Sequence, residues 1–212
     1  MDKPLSNYSY VVVDVETTGL SPDDRICEIG MTRIENDEIV DSFESLVNPE
    51  EKINNTIFHG IENWMVRGAP VFGDIAHDII DFMKGSVLIA HNAPFDMRFL
   101  RYEFSRLGTD LSHVSLCTLK IARRLHPEFA SHRLDYMLYQ YDIKNEQHHR
   151  AGADADSEAR LFLEMKLKLE DRGLMTLNAL NAWGLPYDHR WTGSTTISSP
   201  RNGGRALTRD DL

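Results

Sequence analysis

Residues 8–13, Tyr-Ser-Tyr-Val-Val-Val, are mostly aromatic and β-branched, which predicts a strand buried on both faces. Residues 26–35 alternate loosely, with Ile26, Glu28, Gly30 and Thr32 against Cys27, Ile29, Met31 and Arg33. Asn36-Asp37 marks a turn, and residues 38–47 alternate again, so the pair reads as an antiparallel hairpin that Asn48-Pro49 ends. Residues 50–70 are loop-like or short-helical. Helical spacing follows over 71–83, through Ile75, Ile79, Phe82 and Met83. A short apolar strand at 86–90 precedes a helix at 94–107, whose stripe is Phe95, Phe99, Leu100 and Phe104. Pro94 suits its first turn, where a missing N–H costs little. Residues 114–116 predict a further strand, and 118–125 and 132–141 short helices. A long amphipathic helix is predicted over 154–171, with Leu161, Met165 and Leu169 on its buried stripe. From residue 173 the pattern weakens, and 192–202, rich in Ser, Thr, Gly and Pro, predicts a flexible stretch. This order predicts an α/β domain, a mixed sheet flanked by helices.

Composition narrows the setting. A chain of 212 residues fits one domain with a tail. The two cysteines, Cys27 and Cys117, are isolated and in no metal-ligand spacing, which favours a reduced cytoplasmic compartment. No apolar run is long enough to span a bilayer, and no secretory signal opens the chain. The net charge of −10 argues against a broad basic surface for gripping duplex nucleic acid. A small nucleic-acid site remains open if metal ions supply the positive charge.

The candidate chemistry lies at the ends of the predicted elements. Asp14 and Glu16 follow the first strand run; at i and i+2 they share a face. Two close carboxylates repel unless cations neutralise them, and hard oxygen ligands suit Mg²⁺ or Mn²⁺. Asp96 falls in the first turn of the helix after the second apolar strand, where the dipole favours an acid. His149 and Asp154 precede or open the last long helix. Spacing alone does not choose between His148 and His149, or among Asp154, Asp156 and Glu158. Taken singly, each acid is also explained by a solvated strand end or a helix cap.

As an ordered set, these segments resemble the three motifs of the DnaQ-like (DEDDh) 3′–5′ exonuclease family. Asp14-Val15-Glu16-Thr17-Thr18-Gly19 is similar to the first, Asn92-Ala93-Pro94-Phe95-Asp96 to the second, and His149 with Asp154 to the third. Phe58-His59-Gly60-Ile61, Cys117-Thr118-Leu119 and Ser131-His132-Arg133-Leu134 extend the likeness over roughly residues 8 to 170. The resemblance implies a ribonuclease-H-like fold with a mixed five-stranded sheet, an exonuclease domain over 1–172 and a C-terminal extension over 173–212.

It also implies roles. Asp14, Glu16, Asp96 and Asp154 would hold two ions, Mg²⁺ or Mn²⁺, and His149 would be the general base. An imidazole, with an intrinsic pKa of about 6.5, offers a neutral base near pH 7. Thr17, Thr18, Gly19, His59 and Asn92 would lie against the terminal nucleotide. The expected substrate is a single-stranded or frayed 3′ end of DNA, as for the proofreading ε subunits of bacterial replicative polymerase in this family. RNA trimming of the RNase T or oligoribonuclease type is the alternative, and a noncatalytic polymerase-binding module the third reading. The tail, with Trp183, Leu185, Tyr187 and Trp191, would either dock to a polymerase subunit or cap the domain. No membrane association is expected.

Overall fold

The computed structural model describes residues 2–145 and 149–186. His148, Tyr187, Trp191 and the stretch 192–202 lie outside the described residues. Five strands, β1 (Ser9–Thr17), β2 (Ile26–Glu35), β3 (Glu38–Leu46), β4 (Ser86–Ala90) and β5 (Ser115–Cys117), form one sheet in the order β3-β2-β1-β4-β5. The first three are antiparallel, while β4 and β5 run parallel to β1. The helices are α1 (Thr56–His59), α2 (Phe72–Met83), α3 (Ala93–Arg106), α4 (Thr118–Leu125), α5 (Leu134–Gln140), α6 (Ala151–Asp171) and α7 (Leu177–Ala182). The mixed five-stranded sheet flanked by helices is the architecture expected.

The central strand β1 divides the interior. Val11, Val13 and Val15 pack with Phe72, Ile79, Phe99 and Phe104 of α2 and α3. Tyr10 and Val12 point the other way, to Leu161, Phe162 and Met165 of α6. By the same two-residue period, Asp14 and Glu16 continue the α6 side of the sheet. The β2–β3 turn is closed by Asn36 and Asp37, with φ of 51° and 64°, the handedness of a two-residue type I′ turn. Lys166 of α6 is buried and binds Asp37 at 3.1 Å and Glu170 at 2.7 Å.

Two boundaries differ from the sequence-based expectation by three residues or more. β1 runs past its apolar stretch to Thr17, because Asp14–Thr17 remain laddered to β2. α6 begins at Ala151, three residues earlier than its apolar period implies. The cause is long-range: buried Glu28 of β2 accepts the Ala151 N–H at 2.9 Å, satisfying a first-turn donor. Gly30 makes the approach possible, since a Cβ there would sit 2.1 Å from the Ala151 carbonyl carbon.

Residues 177–185 pack on the same interior. Leu177, Leu180 and Leu185 are buried beside α4 and α6, with Trp183 partly covered. Arg124 and Arg172 lie over the Trp183 ring. Among the described residues no helix is long and apolar enough to cross a membrane.

Candidate active site

The carboxyl ends of β1 and β4 and the N-termini of α3 and α6 meet at one edge of the sheet. Open α/β sheets bind ligands at such strand ends. β1 delivers Asp14 and Glu16. The turn after β4 passes through Asn92, left-handed at φ 79°, into α3. Asp96, in the first turn of α3, is buried and accepts the Val15 N–H at 3.3 Å. α6 delivers Asp154, which accepts the His149 N–H at 3.1 Å and the Asn145 side-chain amide.

One donor atom each from Glu16, His149 and Asp154 lies within 4.8 Å of the other two. His149 is exposed and left-handed at φ 64°. Its neighbour Arg150 forms a forked pair with buried Glu28, at 2.9 and 2.6 Å, which fixes the chain between His149 and the start of α6. His149 and Asp154 also line a cavity of about 420 Å³ with Arg133, Leu134 and Asp135.

The electrostatics are those of a crowded acid cluster. Asp14 is pushed well above the carboxylate range, by burial first and then by Asp96, Glu16, Asp154 and Glu158. Burial, followed by the charges of Asp154, Glu28 and Asp96, lifts Glu16 to about 8, with Arg150 pulling it back. Asp96 rises to about 7 through burial, against hydrogen bonds from its own and the Val15 N–H. Carboxylates in this state gain from a cation that removes the repulsion. An all-oxygen group with one imidazole fits a hard divalent ion, so the donor chemistry present fits such ions.

The residues expected at the nucleotide fall into two groups. Thr17 and Thr18, beside Glu16, are buried, and Gly19 is half-buried, so the two threonine side chains are held inside the turn rather than presented to a ligand. Thr17 Oγ1 donates to the Gly19 carbonyl at 2.7 Å, and Thr18 Oγ1 donates to Glu51 at 2.5 Å. His59 is buried behind them. Its Nδ1 accepts the Ile61 N–H at 3.1 Å, so Nε2 carries the hydrogen toward Thr17 O and Asn55 Oδ1, each at 3.2 Å. It therefore braces Thr17 from within. Leu20, Ile57 and Phe58 are exposed apolar side chains on the segments that carry Gly19 and His59.

Sequence reasoning passed over Glu28, Arg150 and Gly30. A glycine inside a strand signals close backbone approach, and that signal was present at Gly30. Nothing local marks Glu28 as buried. Arg124 of α4, exposed, packs on Trp183 rather than reaching the site.

Comparison with known proteins agrees with this fold. The RNase_T family (exonuclease) matches residues 11–162. A PolC-type DNA polymerase III of Caldanaerobacter subterraneus subsp. tengcongensis is 38% identical over 176 residues, 82% of this chain but 13% of the polymerase. The chain thus spans 13% of the length of that curated relative. Exonuclease X, solved with 5′-overhanging duplex DNA, superposes with a TM-score of 0.62 at 27% identity, covering 77% of this chain and 93% of that one. E. coli exonuclease I, solved with a dT13 oligonucleotide, shares the fold at a TM-score of 0.69 and 17% identity, over 82% of this chain and 46% of that one.

Proposed function

Because the chain belongs to the RNase_T family of exonucleases, we propose that it is a metal-dependent 3′–5′ exonuclease acting on single-stranded or frayed DNA ends. One observation carries this: three separate elements bring Asp14, Glu16, Asp96 and Asp154 together with His149 at one edge of the sheet. A DNA substrate is supported by the polymerase relative and by the two neighbours solved with DNA.

In this reading Asp14, Glu16, Asp96 and Asp154 hold two divalent ions, Mg²⁺ or Mn²⁺. Bound there, the ions supply charge neutralisation at the attacked phosphate and its leaving oxygen. His149, exposed beside Glu16 and Asp154, takes the proton of the attacking water at a ring nitrogen. The new P–O bond forms as the bond to the 3′-oxygen breaks. A 5′-mononucleotide leaves, and the freed 3′-oxygen takes a proton from solvent, so the shortened strand ends in a 3′-hydroxyl. Gly19 and exposed Asn92 border the terminal nucleotide, with buried Thr17 and Thr18 shaping the turn behind Gly19 and His59 bracing Thr17. Exposed Leu20, Ile57 and Phe58 offer apolar contact to unpaired bases. With a net charge of −10, the protein grips its strand through the end and the ions rather than a long basic track. A replicative polymerase subunit is the partner proposed from the polymerase relative.

The test is side-by-side digestion of 3′-labelled and 5′-labelled single-stranded DNA and RNA with Mg²⁺ or Mn²⁺. Mononucleotide should appear at once from the 3′ label, a ladder from the 5′ label, and neither in chelator. Faster loss of RNA would move the protein to the trimming class.

A further inference from the structure

Glu158 is a fully buried carboxyl that the reaction proposed above leaves without a task. It lies one helical turn beyond Asp154 on α6. Its Oε1 is 2.7 Å from Thr118 Oγ1, at the start of α4. Thr118 Oγ1 is also 3.0 Å from His91 Nδ1 and 3.3 Å from the Ala90 carbonyl. His91 Nε2 is 2.8 Å from the His132 carbonyl. His91 sits in the turn between β4 and α3, immediately ahead of the segment that launches Asp96.

Hydrogen counting assigns the donors. A carbonyl only accepts, so His91 Nε2 carries the hydrogen toward His132. In a neutral imidazole, Nδ1 is then an acceptor. Thr118 has one hydroxyl hydrogen. An ionised Glu158 would leave that hydrogen facing three acceptors, with two contacts unmade. The 2.7 and 3.0 Å contacts are both hydrogen bonds only if a further proton sits on Glu158 Oε1 or on His91. Burial holds His91 down to about 4. The proton therefore belongs to Glu158, which burial lifts to about 8 even against a Thr118 hydroxyl turned to donate to it, with Asp96 and Asp154 adding and the His91 N–H opposing. Among the described residues its Oε2 has no partner at hydrogen-bond distance, which suits the carbonyl oxygen of a neutral acid better than a carboxylate.

We propose that Glu158 is a positioning residue of the nuclease site: as a neutral acid donating to Thr118, it ties α6 and Asp154 to the turn that launches Asp96, without adding negative charge. The inference rests on the nuclease reading of that site. Hydrogen-bonded groups behind a metal's ligands are typically worth about 10–100-fold in affinity or activity.

The test compares wild type, Glu158→Gln, Glu158→Ala and Thr118→Val by half-saturating Mn²⁺, turnover and thermal melting. Glu158→Gln keeps a donor at the same place and should hold both kinetic parameters within about threefold. Glu158→Ala and Thr118→Val should each raise half-saturating Mn²⁺ or lower turnover by about 10–100-fold. Their double variant should be no worse than either alone, because both break one chain. Equal damage from Gln and Ala would show that the charge is used, as a ligand, and would overturn the proposal; so would an unaffected Glu158→Ala. A second readout is independent of activity. With Mn²⁺ bound, the infrared difference between wild type and Glu158→Gln should contain a protonated-carboxyl stretch, and its absence would also overturn the proposal. Should wild type cleave nothing while that band is present, the nuclease reading fails and the neutral acid stands.

Discussion

Asp14 carries the heaviest burden of like charge in the cluster, facing Asp96, Glu16, Asp154 and Glu158 from within the sheet. Asp14→Ala should therefore abolish metal-dependent cleavage yet raise the melting temperature of the metal-free protein, since it removes a repelled group. Near-normal turnover in a metal titration would sink the proposed ion site. His149→Ala should cut turnover by about 10²–10⁴-fold, the usual worth of a general base, with half-saturating Mn²⁺ little changed. A shift mainly in metal affinity would make the imidazole a ligand beside Glu16 and Asp154. At this scale the sequence was legible as position: Asp14, Glu16, Asp96, His149 and Asp154, picked out as an ordered set along the chain, lie near one another in the fold, and the roles that the resemblance implies for them are proposals. It was silent on Glu28 and left Glu158 undecided, because burial of one acid is set by residues far away in the chain.

Helices and strands were legible wherever the apolar period was strong. β4 and α4 fall where the spacing put them, and the stripes of α3 and α6 are buried. What periodicity could not supply was the starting point of α6, which β2 sets through Glu28 and Gly30. Gly30→Ala tests that dependence. A methyl group 2.1 Å from backbone cannot be absorbed by a rotamer change, so α6 must lift from the sheet. The expected cost is at least the ~1–3 kcal/mol typical of overpacking, read from urea unfolding. Nuclease activity should fall out of proportion to stability, because Asp154 moves with the helix. Unchanged activity in the folded variant would mean that the helix start is not what sets the site.

The whole molecule should feel its acid cluster through pH. Between about pH 4.5 and 8 the native metal-free protein keeps a proton on Glu16 that the unfolded chain has released. Asp96, raised from 3.8 to about 7, acts in the same direction. Native protons in excess mean that stability falls as pH rises, by up to ~1.4 kcal/mol per pH unit for each such group. Melting temperature in chelator should therefore drop from about pH 5 to 8, and Mn²⁺, binding the deprotonated native site, should reverse the trend. A flat profile in chelator would show that the carboxylates are not coupled in this way.

The two fastenings of α6 bear on how such domains can be recombined. Near its start the helix is joined to β2 by Arg150–Glu28, and further along Lys166 holds Asp37 in the hairpin turn. The hairpin thus acts as a template for the length and phase of the helix. A chimera that imports α6 from a relative should misplace Asp154 unless the β2–β3 hairpin comes from the same parent. In a shuffled library, the two segments should survive selection together even though more than a hundred residues separate them in the chain.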